Sequence, residues 1–388
     1  MKSAIPDKME KSISTMIRTL ISPSMRLALR DTRDWLREKF KLWQLWNWEI
    51  ARFPQQGSGR YNILYVGRKS SREFANTFLK ADDGLNSGQI EVDLPAKTVF
   101  VCELPVPGAL CVPTQLRAIV PLGRPIHEIL ARYDKSLRQN LHKWSTRYRL
   151  QQALTDAEIE RADRDMIRPF ARARHGNAAL QLSPGLVRQY ARKFGRLDLV
   201  LSGEEVVGCQ LGRTYTRHGK RYWLIVRFGS PEAVFTDPKR LREINSIGNH
   251  LELEWAIENG FDYFDMGMSL ARPKDGILQH KRRRGGELDL NAYHHYFYVR
   301  LPKAGSAMFL WNTPLFSVEN RQLTLHLGLP NGPSDEDFGI HYREMGFGGL
   351  LKIYLHYDRQ PSQQLLETLN SYFTHQKPPP IVLCLPST

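Results

Sequence analysis

Three short apolar runs, residues 197–201, 206–214 and 222–228, follow one another through the tight connections Ser202-Gly-Glu and Arg217-His-Gly-Lys. Connections this short return each run antiparallel to the one before, so the pattern predicts a β-meander. A helical stretch over 238–259 comes next, and Gly260 leads it into another apolar run at 263–266. This order predicts a sheet in which 222–228 lies beside 263–266. Upstream, Ile126, Ile129, Leu130, Tyr133, Leu137, Leu141 and Trp144 make one apolar helical face through Leu150. A second helix opens with the capping box Thr155-Asp-Ala-Glu158 and meets Pro169, while a third is punctuated by Ser183, Pro184 and Gly195. Helices, meander, helix and strands in this order predict an α+β fold: a mixed sheet flanked by helices over 125–300.

The flanks differ in texture. Residues 26–53 carry Leu36, Phe40, Trp43, Trp46 and Ile50 at helical spacing, and four of the eight tryptophans fall between Trp35 and Trp48. Such an N-terminal helical segment, 1–55, either packs on the next domain or makes peripheral contact with a membrane. Residues 55–59 read as a linker. Short runs at 63–66, 98–102 and 118–120 predict a strand-rich lobe over 56–124, and 301–388 forms a C-terminal α/β appendage with strands at 350–357 and 381–385 around a helix at 361–373.

Composition bounds the partners. The chain has 388 residues, 41% hydrophobic and 24% charged, enough for two or three packed modules. A formal charge of +15 favours anionic partners such as a nucleic acid, an acidic carrier protein or a membrane face. Cys102, Cys111, Cys209 and Cys384 contain no Cys-x-x-Cys pair, Asp7, Lys8, Glu10 and Lys11 interrupt any leader-like apolar run, and no stretch reaches the roughly 18 apolar residues of a membrane span. A cytoplasmic protein is expected.

The chemistry concentrates between Phe264 and Leu288. Asp265, at an expected strand end beside Gly267, is a candidate to orient or take a proton from a bound group, or alternatively a loop cap. A basic run at 281–284 stops at Gly285-Gly286, which permits close backbone approach. If that run is a strand, Lys281 and Arg283 share one face and Arg282 and Arg284 the other. Lys281, Arg283 and Arg284 are candidates for phosphate or carboxylate. On the helix around 133–143, Ser136, Asn140 and Lys143 share one side and Arg138 and His142 another, either for substrate or as a solvated surface. Adjacent His294 and His295 cannot hold one metal from a strand, Gly346-Phe-Gly-Gly reads as a turn, and no nucleophile elbow occurs, so no metal site is expected.

Asp-x-Gly-x-Ser, a loop, then Lys and Gly-Gly, together with Ser136-x-Arg138 and Lys143 on the preceding helix, resembles the FemAB-like branch of the GNAT acyltransferase superfamily over about 126–299. The resemblance implies a GNAT-like sheet whose parted strands hold an acyl carbonyl on backbone N–H groups of 222–228. It leaves 56–124 open to reading as a degenerate first GNAT lobe. It further implies an N-acyltransferase or aminoacyltransferase with Asp265 and Ser269 catalytic, and Ser136, Arg138, Lys143, Gly267, Lys281, Arg283, Arg284, Gly285 and Gly286 binding substrate. The Arg/Gln-x-x-Gly-x-Gly/Ala pyrophosphate loop of acetyl-CoA-dependent members is missing: Gly229-Ser-Pro-Glu and Ser246-Ile-Gly-Asn stand in its region. No permanently bound cofactor is therefore expected, and the acyl donor, as co-substrate, is aminoacyl-tRNA, acyl carrier protein or acyl-CoA. The rival reading is a non-catalytic protein that binds nucleic acid or a membrane surface on a decayed GNAT scaffold.

Overall fold

The computed structural model describes residues 46–54, 61–79, 97–176, 181–290, 295–372 and 379–384. Strands β1 (Trp48–Pro54) and β2 (Asn62–Arg68) pair antiparallel, and helix α1 (Arg72–Leu79) returns the chain to β3 (Thr98–Cys102), parallel to β2. Strands β4 (Leu110–Pro113) and β5 (Gln115–Pro121) follow with only Thr114 between them. Next come α2 (Ile126–Ala131), α3 (Lys135–Trp144), β6 (Tyr148–Gln152), α4 (Asp156–Ala162), α5 (Arg168–His175) and α6 (Pro184–Gln189). The meander is β7 (Gly195–Ser202), β8 (Glu205–Arg217) and β9 (Lys220–Gly229); α7 (Pro238–Glu258) then leads to β10 (Tyr263–Leu270), α8 (Gly276–Arg282) and β11 (Glu287–Asp289). The chain closes with β12 (Tyr296–Arg300), α9 (Ser306–Asn312), β13 (Leu315–Glu319), β14 (Gln322–Leu329), α10 (Asp335–Met345), β15 (Leu350–Tyr357), α11 (Gln363–Ser371) and β16 (Ile381–Cys384).

Three mixed sheets result. The central one has seven strands in the order β11-β5-β10-β9-β8-β7-β6, and β10 runs parallel to β9 and antiparallel to β5. This is a mixed sheet flanked by helices, as expected over 125–300, with β5 added from outside that range. One side packs on α7, α2 and α3 through Trp223, Phe264, Ile247, Leu253 and Leu141; the other receives α4 and α6 through Ile159, Val187, Leu197 and Leu211. Trp223 lies flat against Gly212, where a side chain would put Cβ 2.1 Å from the indole. The five-stranded sheet β1-β2-β3-β12-β4 and the four-stranded sheet β13-β14-β15-β16 share one apolar core around Phe297, Phe309, Leu325 and Phe338.

Several expectations change. Strands cross the expected border at 124/125: β5 joins the central sheet and β12 joins the sheet of the 56–124 segment. Of the N-terminal helix, 26–45 lies outside the described residues, and 48–54 is a strand, because β2 takes up its backbone hydrogen bonds residue by residue. The helix over 126–150 breaks at Tyr133–Asp134, where Tyr133 bridges to Arg284, and 148–152 becomes the edge strand β6 on β7. Strand β10 does not end at Met266 but continues to Leu270, and the run at 281–284 belongs to a helix end, capped at Asp275 by bonds from Ile277 and Leu278. No helix among the described residues is long and apolar enough to cross a membrane.

Candidate functional site

Strands β9 and β10 pair over only three rungs, Tyr222 with Tyr263, Trp223 with Phe264 and Leu224 with Asp265. Both strands run on, to Gly229 and Leu270, with no further ladder between them. Asp265 therefore stands on the last rung of a parallel pair that then parts. Irregularities flank this point: β10 slips against β5 between Asp265 and Met268, and β9 slips against β8 between the Leu211–Arg227 and Gly212–Ile225 pairs. Gly267, within the first slip, has φ +77, a left-handed conformation that side chains resist.

Strand alternation puts Arg117, Arg213, Tyr215, Arg217, Tyr222, Tyr263 and Asp265 on one face. Asp265 is fully buried. Its carboxylate pairs with the Arg117 guanidinium, accepts from the Tyr215 hydroxyl at 2.7 Å and accepts from the Gly267 amide at 2.8 Å. Burial works against the charge of Arg117, yet the adjacent Asp265 carboxylate carries its pKa above the ordinary value. Burial, then the Asp265 charge, raises that of Tyr215. Tyr215, Tyr222 and Tyr263 stack with centroids 4.7 Å apart at each step, and Arg217 bonds both the Tyr222 hydroxyl at 3.0 Å and Asp289 at 2.7 Å.

Lys281 reaches the same glycine from α8. Its ammonium donates to the Gly267 carbonyl at 2.8 Å and the Met268 carbonyl at 3.0 Å. Only 5% exposed, it has its pKa pulled down to about 8 by burial, with Asp265 opposing. One residue, Gly267, thus answers to both candidates, its N–H to Asp265 and its C=O to Lys281. Gly286 closes over this joint: a Cβ there would lie 2.5 Å from the Met266 methyl and 2.9 Å from the Lys281 carbonyl. Gly285, at φ +67, makes the turn that allows it.

The other candidates are placed apart. Ser269 pairs with Leu116 and so points to the face opposite Asp265, where its hydroxyl is buried without a hydrogen-bond partner. Arg284 is a clamp, donating to the His280 carbonyl at 3.0 Å and Ser246 Oγ at 2.7 Å, and burial lowers its pKa to about 10. Arg283 is exposed, with Asp134 3.6 Å away. Ser136, Arg138 and Lys143 are exposed on α3, whose Leu137, Leu141 and Trp144 turn inward. The helical form of 276–282 corrects the strand alternation assumed for the basic run. Arg117, Arg213 and Tyr215 were missed; the signal for two of them was Arg213-Thr-Tyr-Thr-Arg217, an alternation that lines one strand face.

Two concave pockets lie elsewhere. One, about 490 Å³, is lined by Leu288, Asp289, Arg321, Gly349 and Pro380, and the other, about 390 Å³, by Trp311, Pro333, Ile340, His341 and Glu344. Among the described residues no group of three or more His, Cys, Asp or Glu could hold a metal ion. The N-terminal amides of α7 are taken by Asp237, whose carboxylate accepts from Lys239 at 2.9 Å and Arg240 at 3.1 Å. Ser246 and Gly248 are buried within α7, where Gly248 makes room for the Gln210 side chain.

No protein-family model and no curated protein matches the chain. Among solved structures, FemX is similar at 11% identity with a TM-score of 0.37, covering 68% of this chain and 90% of that one. L-PGS from Bacillus licheniformis is similar at 14% identity and a TM-score of 0.33, covering 68% and 87%. A GCN5-related N-acetyltransferase from Anabaena variabilis is similar at 10% identity and a TM-score of 0.24, covering 86% and 85%.

Proposed function

We propose that the chain is an acyltransferase that moves an acyl or aminoacyl group from a carrier-bound donor onto an amine, at the point where β9 and β10 part. The observation that supports it is the convergence of Asp265 and Lys281 on Gly267 at the last rung of that pair. Chemistry of this kind needs an amine held against an activated carbonyl and the removal of one proton. The unpaired edge of β9 beyond Leu224 offers backbone N–H groups to the carbonyl oxygen. Asp265, sealed from solvent, acts as a positioning residue: it fixes Arg117 and Tyr215, whose partly exposed side chains meet the substrate.

The donor is a carrier other than coenzyme A, with tRNA ahead of acyl carrier protein. Two observations favour this: Asp237 occupies the helix N-terminus where a pyrophosphate would sit, and the chain carries a formal charge of +15. The test is transfer of labelled acyl groups from aminoacyl-tRNA, acyl carrier protein and acetyl-CoA onto a panel of amines. Asp265→Asn is expected to lower kcat by roughly 10²-fold or more. Tyr215→Phe, which keeps the ring stack, should reproduce part of that loss. Unchanged turnover in both variants, or micromolar acetyl-CoA affinity with none for either carrier, would defeat the reading.

A further inference from the structure

Arg213 occupies the same rung as Asp265: it pairs with Leu224 on β9, which pairs in turn with Asp265. All three lie on one face of the sheet. Its guanidinium sits between two phenol rings, 5.8 Å from the centroid of Tyr190 and 5.7 Å from that of Tyr215. Among the described residues it has neither an ion pair nor a side-chain hydrogen bond. The Asp265 carboxylate, which acts on it, is already matched by Arg117. This half-buried positive charge therefore has no carboxylate paired to it among the described residues, and burial, aided by Arg117, depresses its pKa. An unbalanced charge out of water costs folding free energy and is relieved when an anion arrives. The planar fork of a guanidinium, braced by rings on both sides, suits two oxygens of one oxyanion.

We propose that Arg213 is an oxyanion-binding residue of this site, taking a phosphate or carboxylate group of the substrate beside the acyl-transfer point; the proposal rests on the acyltransferase reading for what carries that group. The full chain, its Arg213→Gln variant and its Arg213→Lys variant are titrated calorimetrically at low salt with pyrophosphate and, separately, with succinate. Wild type is expected to bind at least one probe, more weakly as salt rises. Arg213→Gln should bind roughly ten- to a hundredfold more weakly, the worth of a charged hydrogen bond. Arg213→Lys, which keeps the charge but not the fork, should fall between. The preferred probe separates a phosphate source from a carboxylate source. Since Arg213 has no ion pair or hydrogen bond among the described residues, the glutamine variant loses only the two ring contacts and should melt close to wild type. If it does melt lower, the lysine variant decides, and wild-type affinity there overturns the proposal. Equal binding by wild type and Arg213→Gln, or no binding of either probe, also overturns it. Anion binding lost in Arg213→Gln, in a protein that transfers no acyl group from any donor, keeps the anion site and removes the acyltransferase reading. Transfer by Arg213→Gln with unchanged KM for both co-substrates does the reverse.

Discussion

Lys281→Met should make the cost of burying that ammonium visible as a function of pH. The side chain is 5% exposed, and its pKa is about 8 in the folded protein against an ordinary 10.5. The gap of about 2.5 units corresponds to about 3 kcal/mol at 1.36 kcal/mol per unit. Because the folded pKa is depressed, the unfolded chain binds the proton more tightly. Stability from this residue is therefore present above pH 10.5 and lost as pH falls through about 8. Methionine has no such dependence, but it leaves the Gly267 and Met268 carbonyls without their donor, at about 1 kcal/mol each. The two effects nearly cancel at pH 7, so the variant and wild type should be within about 1 kcal/mol there. By pH 10.5 wild type should have gained about 3 kcal/mol on the variant, roughly half of it before pH 9. Urea unfolding followed by tryptophan fluorescence at half-unit pH steps measures the difference, in which other titrating groups cancel. A difference that stays flat from pH 7 to 10.5 would mean that Lys281 is not held in this depressed state.

Glu252 is fully buried beside Asp198, and burial, then the Asp198 charge, raises its pKa well above the carboxylate range, while the Trp223 indole donates to it at 2.8 Å. A raised folded pKa gives stability that is present in acid and lost as pH rises through that value. Glu252→Gln, which keeps an oxygen to accept from the Trp223 indole and does not titrate, should therefore gain on wild type in melting temperature as pH rises, and a pH-independent difference would count against the raised pKa. Gly286→Ala should lower stability by about 1–3 kcal/mol through overpacking and weaken any transfer activity, because the Lys281 carbonyl 2.9 Å from the new Cβ is backbone and must shift. A crystal structure of that variant with the Gly267–Lys281 bond intact would refute the mechanism.

The meander, α7 and the entry into β10 were legible because each is written locally: Gly203 and Gly219 make the turns, Asp237 caps the helix and Gly260 ends it. The course of β10 past Asp265 was not, since Asp-Met-Gly reads as a strand end unless the neighbouring strands are known to absorb a slip. The setting of Lys281 differs from the strand considered for it. Alternation suggested a strand, yet Asp275 and Leu278 already carried a helix start and a buried position three residues before it. Arg117 could not be tied to Asp265, because no local pattern joins residues 148 apart in the chain. For the same reason β12 was assigned to the sheet nearest in sequence, although Phe297 and Val299 belong to the other core.

The exchange of β5 and β12 between sheets bears on how the protein can be dissected. A fragment cut at 125–300 would lose β5, leaving the β10 edge bare beside Asp265, and would retain β12 with neither of its neighbours β3 and β4. Bare apolar edges of that kind recruit other chains. Neither half is a severable unit, so the face that carries Asp265 is stitched by Thr114, the single residue between β4 and β5, to a sheet that contributes none of the side chains bonded to Asp265.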